Sequence, residues 1–211
     1  MTILILGIVS MLLLWSLYGY FGSRVEQAKY SIIKKKNGYE IRNYPAHIVA
    51  QTTVEGTYQE SMRKGFRIVA GYIFGGNVKN ESIKMTSPVL MQEKLLGNTS
   101  EKIAMTTPVQ MSKVGDSRVI SFGMPRSYTL ETLPTPLDSR VKLVEIPNKK
   151  LAAIQFAGYR SNARIQEIEH ILLDALKRDD IKIIGIPTYA GYNAPWTPPW
   201  LTRNEVLVEI V

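Results

Sequence analysis

The 211-residue sequence predicts an α+β fold: a mostly antiparallel, distorted barrel with two helices packed outside it, preceded by a further apolar helix. Three observations carry this prediction. Period-two alternation recurs along the chain, as in Tyr39 and Ile41, then Ile48, Ala50, Thr52 and Val54, the pattern of half-buried strands. Two stretches, opened by Thr57-Tyr-Gln-Glu60 and by Ser161-Asn162, switch to helical spacing. Finally, both halves run strands, helix, strands, a weak internal repeat at the level of elements.

Taken in order, Thr2 to Gly22 carry no charged side chain and include Ile3-Leu-Ile-Leu-Gly-Ile-Val-Ser-Met-Leu-Leu-Leu-Trp-Ser-Leu17, with Tyr18, Tyr20 and Phe21 at the far end. About twenty apolar residues span a bilayer, and aromatic residues suit its headgroup boundary. A cleaved signal peptide is disfavoured, since no basic stretch precedes the run and no Ala-x-Ala-like site follows it. The expectation is a single-pass membrane anchor over residues 1–23, contacting membrane through 2–22. A basic linker, 24–37, follows with Arg24, Lys29, Lys34, Lys35 and Lys36 against Glu26. Such a flank stays on the cytoplasmic side and argues for a cytoplasmic domain. Part of the formal net charge of +8 therefore belongs beside the membrane. No helix-turn-helix signature, zinc-finger spacing or basic-aromatic stripe marks a nucleic-acid partner.

The folded domain is expected over 38–211. Asn37-Gly38 is a turn signal before the first long strand or bent pair, 39–56. Thr57 and Glu60 then form a capping box, and Met62, Phe66, Val69, Ala70 and Ile73 mark the buried stripe of the helix, which Gly75-Gly76-Asn77 stops. Next comes a local duplication. Ile83-Lys-Met-Thr-Ser-Pro-Val-Leu-Met91 returns as Ile103-Ala-Met-Thr-Thr-Pro-Val-Gln-Met111. Alternation aims two Met of each copy inward, and Pro88 and Pro108 belong at an edge or bulge because proline lacks the ladder donor. A strand at 118–124 closes the first half. In the second half, 141–146 and 151–159 are expected to pair across Pro147-Asn148. Ser161 or Asn162 caps a helix to about Lys177, and strands near 184–192 and 204–210 flank a Pro/Trp-rich loop.

Chemistry is sparsely supplied. Without cysteine, thiol catalysis, thiolate ligation and Cys-built zinc sites are excluded. Two histidines remain. His170 lies off the second helix's apolar stripe and reads as a solvated residue. His47, at the head of a strand, reads as a partly exposed strand-end residue or, given an open pocket and a fixed tautomer, as a tetrapyrrole ligand. No catalytic residue and no metal ligand is assigned.

Several strings resemble the SOUL heme-binding family: Lys102-Ile-Ala-Met-Thr-Thr-Pro-Val109, Phe122-Gly-Met-Pro-Arg-Ser-Tyr-Thr-Leu-Glu-Thr-Leu-Pro-Thr-Pro136 and Ala194-Pro-Trp-Thr-Pro-Pro-Trp-Leu-Thr-Arg-Asn-Glu-Val206, with Tyr39–Pro45 and Tyr72–Asn77. The resemblance runs from about Tyr30 to Val211 and implies a duplicated βαββ-type barrel with two helices. It also implies non-covalent heme as cofactor, bound reversibly as by a carrier or buffer. Some members carry an axial His where this chain has Asn43, which cannot serve; others use an apolar groove along the first domain helix with basic residues near the propionates. A flat apolar disc with two carboxylates requires such a slot. Met62 and Phe66 are expected to give one wall, Arg63 and Arg67 the mouth, and Met85 and Met105 the opposite side. Trp196 and Trp200 either lid the pocket or staple their loop. The fold is also similar to effector-binding barrels, some hydrolytic, so the alternative is a hydrolase using a buried Glu205 of raised pKa beside Tyr192 as general base. A structural or interaction module is the third reading.

Overall fold

The computed structural model describes residues 2–22, 26–79, 82–83, 86–93, 117–193 and 196–211. In chain order the elements are α1 (Thr2–Gly22), β1 (Glu26–Gln27), β2 (Ser31–Lys35), β3 (Glu40–Tyr44), β4 (His47–Glu55), α2 (Tyr58–Ile73), β5 (Thr86–Ser87), β6 (Val89–Glu93), β7 (Ser117–Gly123), β8 (Lys142–Ile146), β9 (Lys149–Phe156), α3 (Asn162–Arg178), β10 (Thr188–Gly191) and β11 (Asn204–Glu209). The second Met copy, Ile103–Met111, and Met85 lie outside the described residues.

Nine strands form one antiparallel sheet in the order β2-β3-β9-β11-β10-β6-β7-β4-β8. The expected duplication is visible in it: β4-α2-β6-β7 and β9-α3-β10-β11 are equivalent units, joined where β6 pairs antiparallel with β10. The expected closed barrel is not formed. β2 and β8 end the sheet, which is a curled half-barrel.

A second correction concerns the hairpin across Pro147-Asn148. β8 pairs with β4 in the first unit, His47 opposite Ile146, while β9 pairs with β3 and β11. β3 likewise precedes β4 yet lies on β9. Each unit thus lends its leading strand to the other, which covers an edge that a hairpin would leave open. The exchange brings β3 within two strands of β11 and creates the polar cluster described below.

Both domain helices follow their sequence signals. Thr57 accepts from the Glu60 amide while the Glu60 carboxylate accepts from the Thr57 amide, so two orphaned donors are satisfied. Ser161 caps α3 through the Arg164 amide. Both helices lie on one face of the sheet, over a core that includes Ala50, Val69, Ile73, Ile120, Phe122, Leu172, Val206 and Val208. α2 is pressed hard against β7: a Cβ on Gly65 would stand 2.2 Å from Ile120 Cγ1. The opposite face carries a smaller apolar cluster of Ala153, Ala190, Tyr192 and Leu207, with Leu90 and Leu151 against it.

α1 packs with its far end against the Pro/Trp loop. Trp15 Nε1 donates to the Trp196 carbonyl at 2.9 Å, and the Trp15 and Trp200 rings meet edge-on at 5.3 Å. Trp200 thus ties its loop to α1 through its ring and Trp196 through its carbonyl, and neither lines the cleft described below. Most of α1's large apolar side chains are exposed, Ile3 by 87% and Leu14 by 68%. Side chains are described only over 3–19, and among the described residues no helix is long and apolar enough to cross a membrane. The expected single-pass span is not supported on that count.

Candidate functional site

Of the six residues expected to line a groove on α2, Met62 and Phe66 are partly buried against the helix-side core. Phe66 meets the fully buried Phe122 edge-on, ring centroids 5.3 Å apart. Gly65 is seated on Ile120, so at that level of α2 helix and sheet are in direct contact. Arg63 and Arg67 are exposed on the outward side of α2, and Met85 and Met105 lie outside the described residues.

The open cleft lies on the other face. Alternation along the strands sends Val49, Leu90, Leu151 and Leu207 away from the helices, and these side chains wall a shallow, open hollow of about 80 Å³. Its remaining lining is Gln27, Ala28 and Lys29 from the segment after α1, Tyr44, Pro45 and His47 where β3 turns into β4, Ser87 and Pro88, and Gly123, Met124 and Arg126. β1 is held there by its parallel pairing with β5 and by the Ala28 amide, which donates to the Ser87 carbonyl at 2.9 Å.

Three features give this hollow its chemistry. Lys29 and Arg126 are exposed and place two cations on its rim. His47 is half-buried, and its Nδ1 lies 3.0 Å from the Pro45 carbonyl oxygen. The Ser87 hydroxyl is buried and finds no hydrogen-bond partner among the described residues.

Beside the cleft, on the same face, sits a closed polar cluster. Glu205 is fully buried, and its Oε2 accepts from Arg42 Nη1 at 2.7 Å and from the Tyr192 hydroxyl at 2.8 Å. Its Oε1 accepts from Arg203 Nη2 at 2.7 Å and Nε at 3.0 Å. Arg42 is itself 2% exposed and also donates to Glu40 and to the Tyr44 hydroxyl. Burial opposes the Arg42 charge, but the hydrogen bond and charge of Glu205 outweigh it and hold the guanidinium still more firmly protonated. Burial, then the Glu205 charge, pushes the Tyr192 phenol well above its usual range. The sequence expectation that Glu205 is buried beside Tyr192 holds, yet both carboxylate oxygens are engaged by guanidinium groups. A general base needs an oxygen free to take a proton, and neither is free.

Among the described residues no three His, Asp or Glu side chains cluster as a metal site. His170 is exposed on α3, its Nδ1 2.8 Å from the Gln166 carbonyl one turn back. The cleft escaped the sequence reading because six segments far apart in the chain build it. The signal available was the Tyr44-Pro45-Ala46-His47 corner, which sets a histidine at the head of a strand on the face away from the helices.

Fold and site together define the class: a duplicated βαββ sheet, curled, with an apolar-walled hollow on the face away from its helices. The chain belongs to the SOUL heme-binding protein family, whose model matches residues 25–209. It is 30% identical to human heme-binding protein 2 over 160 residues, covering 74% of this chain and 71% of that protein. Heme-binding protein 1 of Xenopus laevis is 24% identical over 169 residues, covering 80% of this chain and 81% of that one. Among solved structures, the C-terminal domain of EcmrR superposes with a TM-score of 0.58 at 10% identity, over 86% of this chain and 98% of that one. An uncharacterized conserved protein from Listeria innocua gives 0.54 at 12% identity, over 83% and 93%. These two likenesses concern the fold.

Proposed function

We propose that this protein binds heme or a related tetrapyrrole reversibly, as a carrier or buffer rather than an enzyme, in the cleft between Leu90, Leu151 and Leu207. The observation that carries the reading is the composition of that hollow: apolar walls and two rim cations in one place. A tetrapyrrole presents an apolar disc and two carboxylates on one edge, and Lys29 and Arg126 are the cations that would meet them. Family membership and two curated relatives named heme-binding proteins support the same ligand class. Bound heme would supply the iron; the chain's own part is to exclude water, orient the disc and pair its carboxylates.

The hydrolase reading loses its base, because Glu205 is consumed by Arg42 and Arg203. Titrating the purified protein with hemin tests the proposal: a saturable Soret shift near one equivalent is expected, and a purely linear, non-saturating response would overturn it.

The amino-terminal helix we read as a membrane anchor. Its backbone runs 21 residues without a charged side chain, and at 1.5 Å per residue that is about 31 Å, the thickness of a hydrocarbon core. Fractionation in alkaline carbonate should leave the protein in the membrane pellet; release to the supernatant would overturn the anchor.

A further inference from the structure

We propose that His47 is the axial ligand of the bound tetrapyrrole's iron, through Nε2. The proposal rests on the cleft being the tetrapyrrole site and adds the coordinating atom to it.

The geometry fixes which nitrogen is offered. The Pro45 carbonyl can only accept, so the contact of 3.0 Å to Nδ1 requires the proton on Nδ1. In the neutral ring Nε2 then carries the free lone pair, and the same hydrogen bond anchors the ring's orientation. A fixed tautomer with a carbonyl behind the distal nitrogen is how proteins prepare imidazole for a metal. Pro45 is well placed for the task, because its ring restricts φ and stiffens the corner whose carbonyl holds the histidine.

Register places the ring correctly. In β4 the helix-side core takes Ile48, Ala50 and Val54, so His47 and Val49 face the cleft, and both line it. The rim cations Lys29 and Arg126 line the same hollow as His47. His170 has the same kind of Nδ1 contact but lies exposed on α3, across the sheet from the cleft. The axial ligands proteins offer to heme iron are His, Cys, Met and Tyr. The chain has no Cys, and of the others in the lining Met124 and Tyr44 are both buried, 6% and 5% exposed.

The test is a hemin titration of the full-length protein in detergent micelles, comparing wild type with His47→Ala, His47→Met and, as control, His170→Ala. Reduced samples are read by resonance Raman for the iron–histidine stretch, and folding is checked by circular dichroism. Wild type and His170→Ala should show the stretch. His47→Ala should lose it, bind hemin ~10-fold or more weakly, and recover a nitrogen-ligated spectrum on addition of free imidazole. His47→Met, which keeps bulk and offers sulfur, should bind with a shifted Soret band. If wild type binds hemin saturably and the His47 variants give an identical spectrum and affinity, the ligand assignment is overturned while the binding reading stands. If wild type fails to bind, both fall together.

Discussion

The two faces of the sheet solve the burial problem differently. The helix side is filled: α2 approaches β7 closely enough that only glycine fits at position 65, and Ile120, Phe122 and Leu172 have essentially no exposed surface. The opposite face has no such cover and divides into two territories. One is a closed cluster in which Arg42, Arg203, Tyr192 and Glu205 satisfy one another. The other is the cleft, where among the described residues His47 Nε2 and the Ser87 hydroxyl have no hydrogen-bond partner. Polar groups that are fully matched stabilise a fold, whereas those left unmatched beside open space are the ones a ligand can use.

The contrast is broken most severely at Glu205. Glu205→Gln leaves two guanidinium groups with a neutral partner, and removing one member of a buried pair costs about 3–5 kcal/mol. Urea denaturation should show that loss, whereas a general-base role would leave stability nearly unchanged. On the filled face, Gly65→Ala forces a methyl into Ile120 and should cost about 1–3 kcal/mol by the same measurement. An unchanged midpoint would mean that α2 rides higher on the sheet than described. The cleft is sharpened by charge reversal. Lys29→Glu with Arg126→Glu should weaken hemin binding by ~10-fold or more, about 1.4 kcal/mol, with little effect on folding. Arg67→Glu on α2 should leave it alone. The reverse ranking in a titration would return the ligand to the helix.

The smallest effect is a pH dependence at the sheet's edge. Tyr39 donates to Asp179 at 2.7 Å, tying the start of β3 to the end of α3. Burial and that hydrogen bond push the Tyr39 phenol up from 10.0 to about 12. Its contribution is thus complete below pH 10 and lost as pH climbs toward 12. Hydrogen bonds from Tyr39, Arg178 and Lys36 hold Asp179 down at about 2 against an ordinary 3.8. Its contribution is present above about pH 4 and lost as pH falls toward 2. Thermal melts should show wild type losing stability on both limbs, and Tyr39→Phe lacking the alkaline loss and keeping only the Arg178 and Lys36 share of the acid one.

Much of the architecture was legible because it is written locally. The Thr57 and Glu60 pair announces α2, Ser161 announces α3, and alternation marks β4, β7 and β11. The strand exchange was not legible, since a proline-containing link between two strands looks the same whether the strands pair with each other or part. From that miss came the others. Without β3 lying on β9, nothing in the sequence brings Arg42 to Glu205, so a neutralised carboxylate read as a candidate base. The α2 groove was inferred from a helical stripe of which Met62 and Phe66 pack partly against the core, while its expected opposite side, Met85 and Met105, lies outside the described residues. Heme as ligand class came from whole strings of residues, not from any single site residue, which is why the family was readable before the cleft was.

The short parallel pairing of β1 with β5 carries a practical consequence. Residues 27–29, directly after the apolar helix, form one side of the cleft, and Arg203 reaches back to Gln27 and Tyr30. A shortened protein starting beyond Tyr30 would keep β3 to β11 yet lack one wall of the cleft, and its weak binding would be blamed on the missing anchor. Trimming that stops before Glu26 separates the two causes.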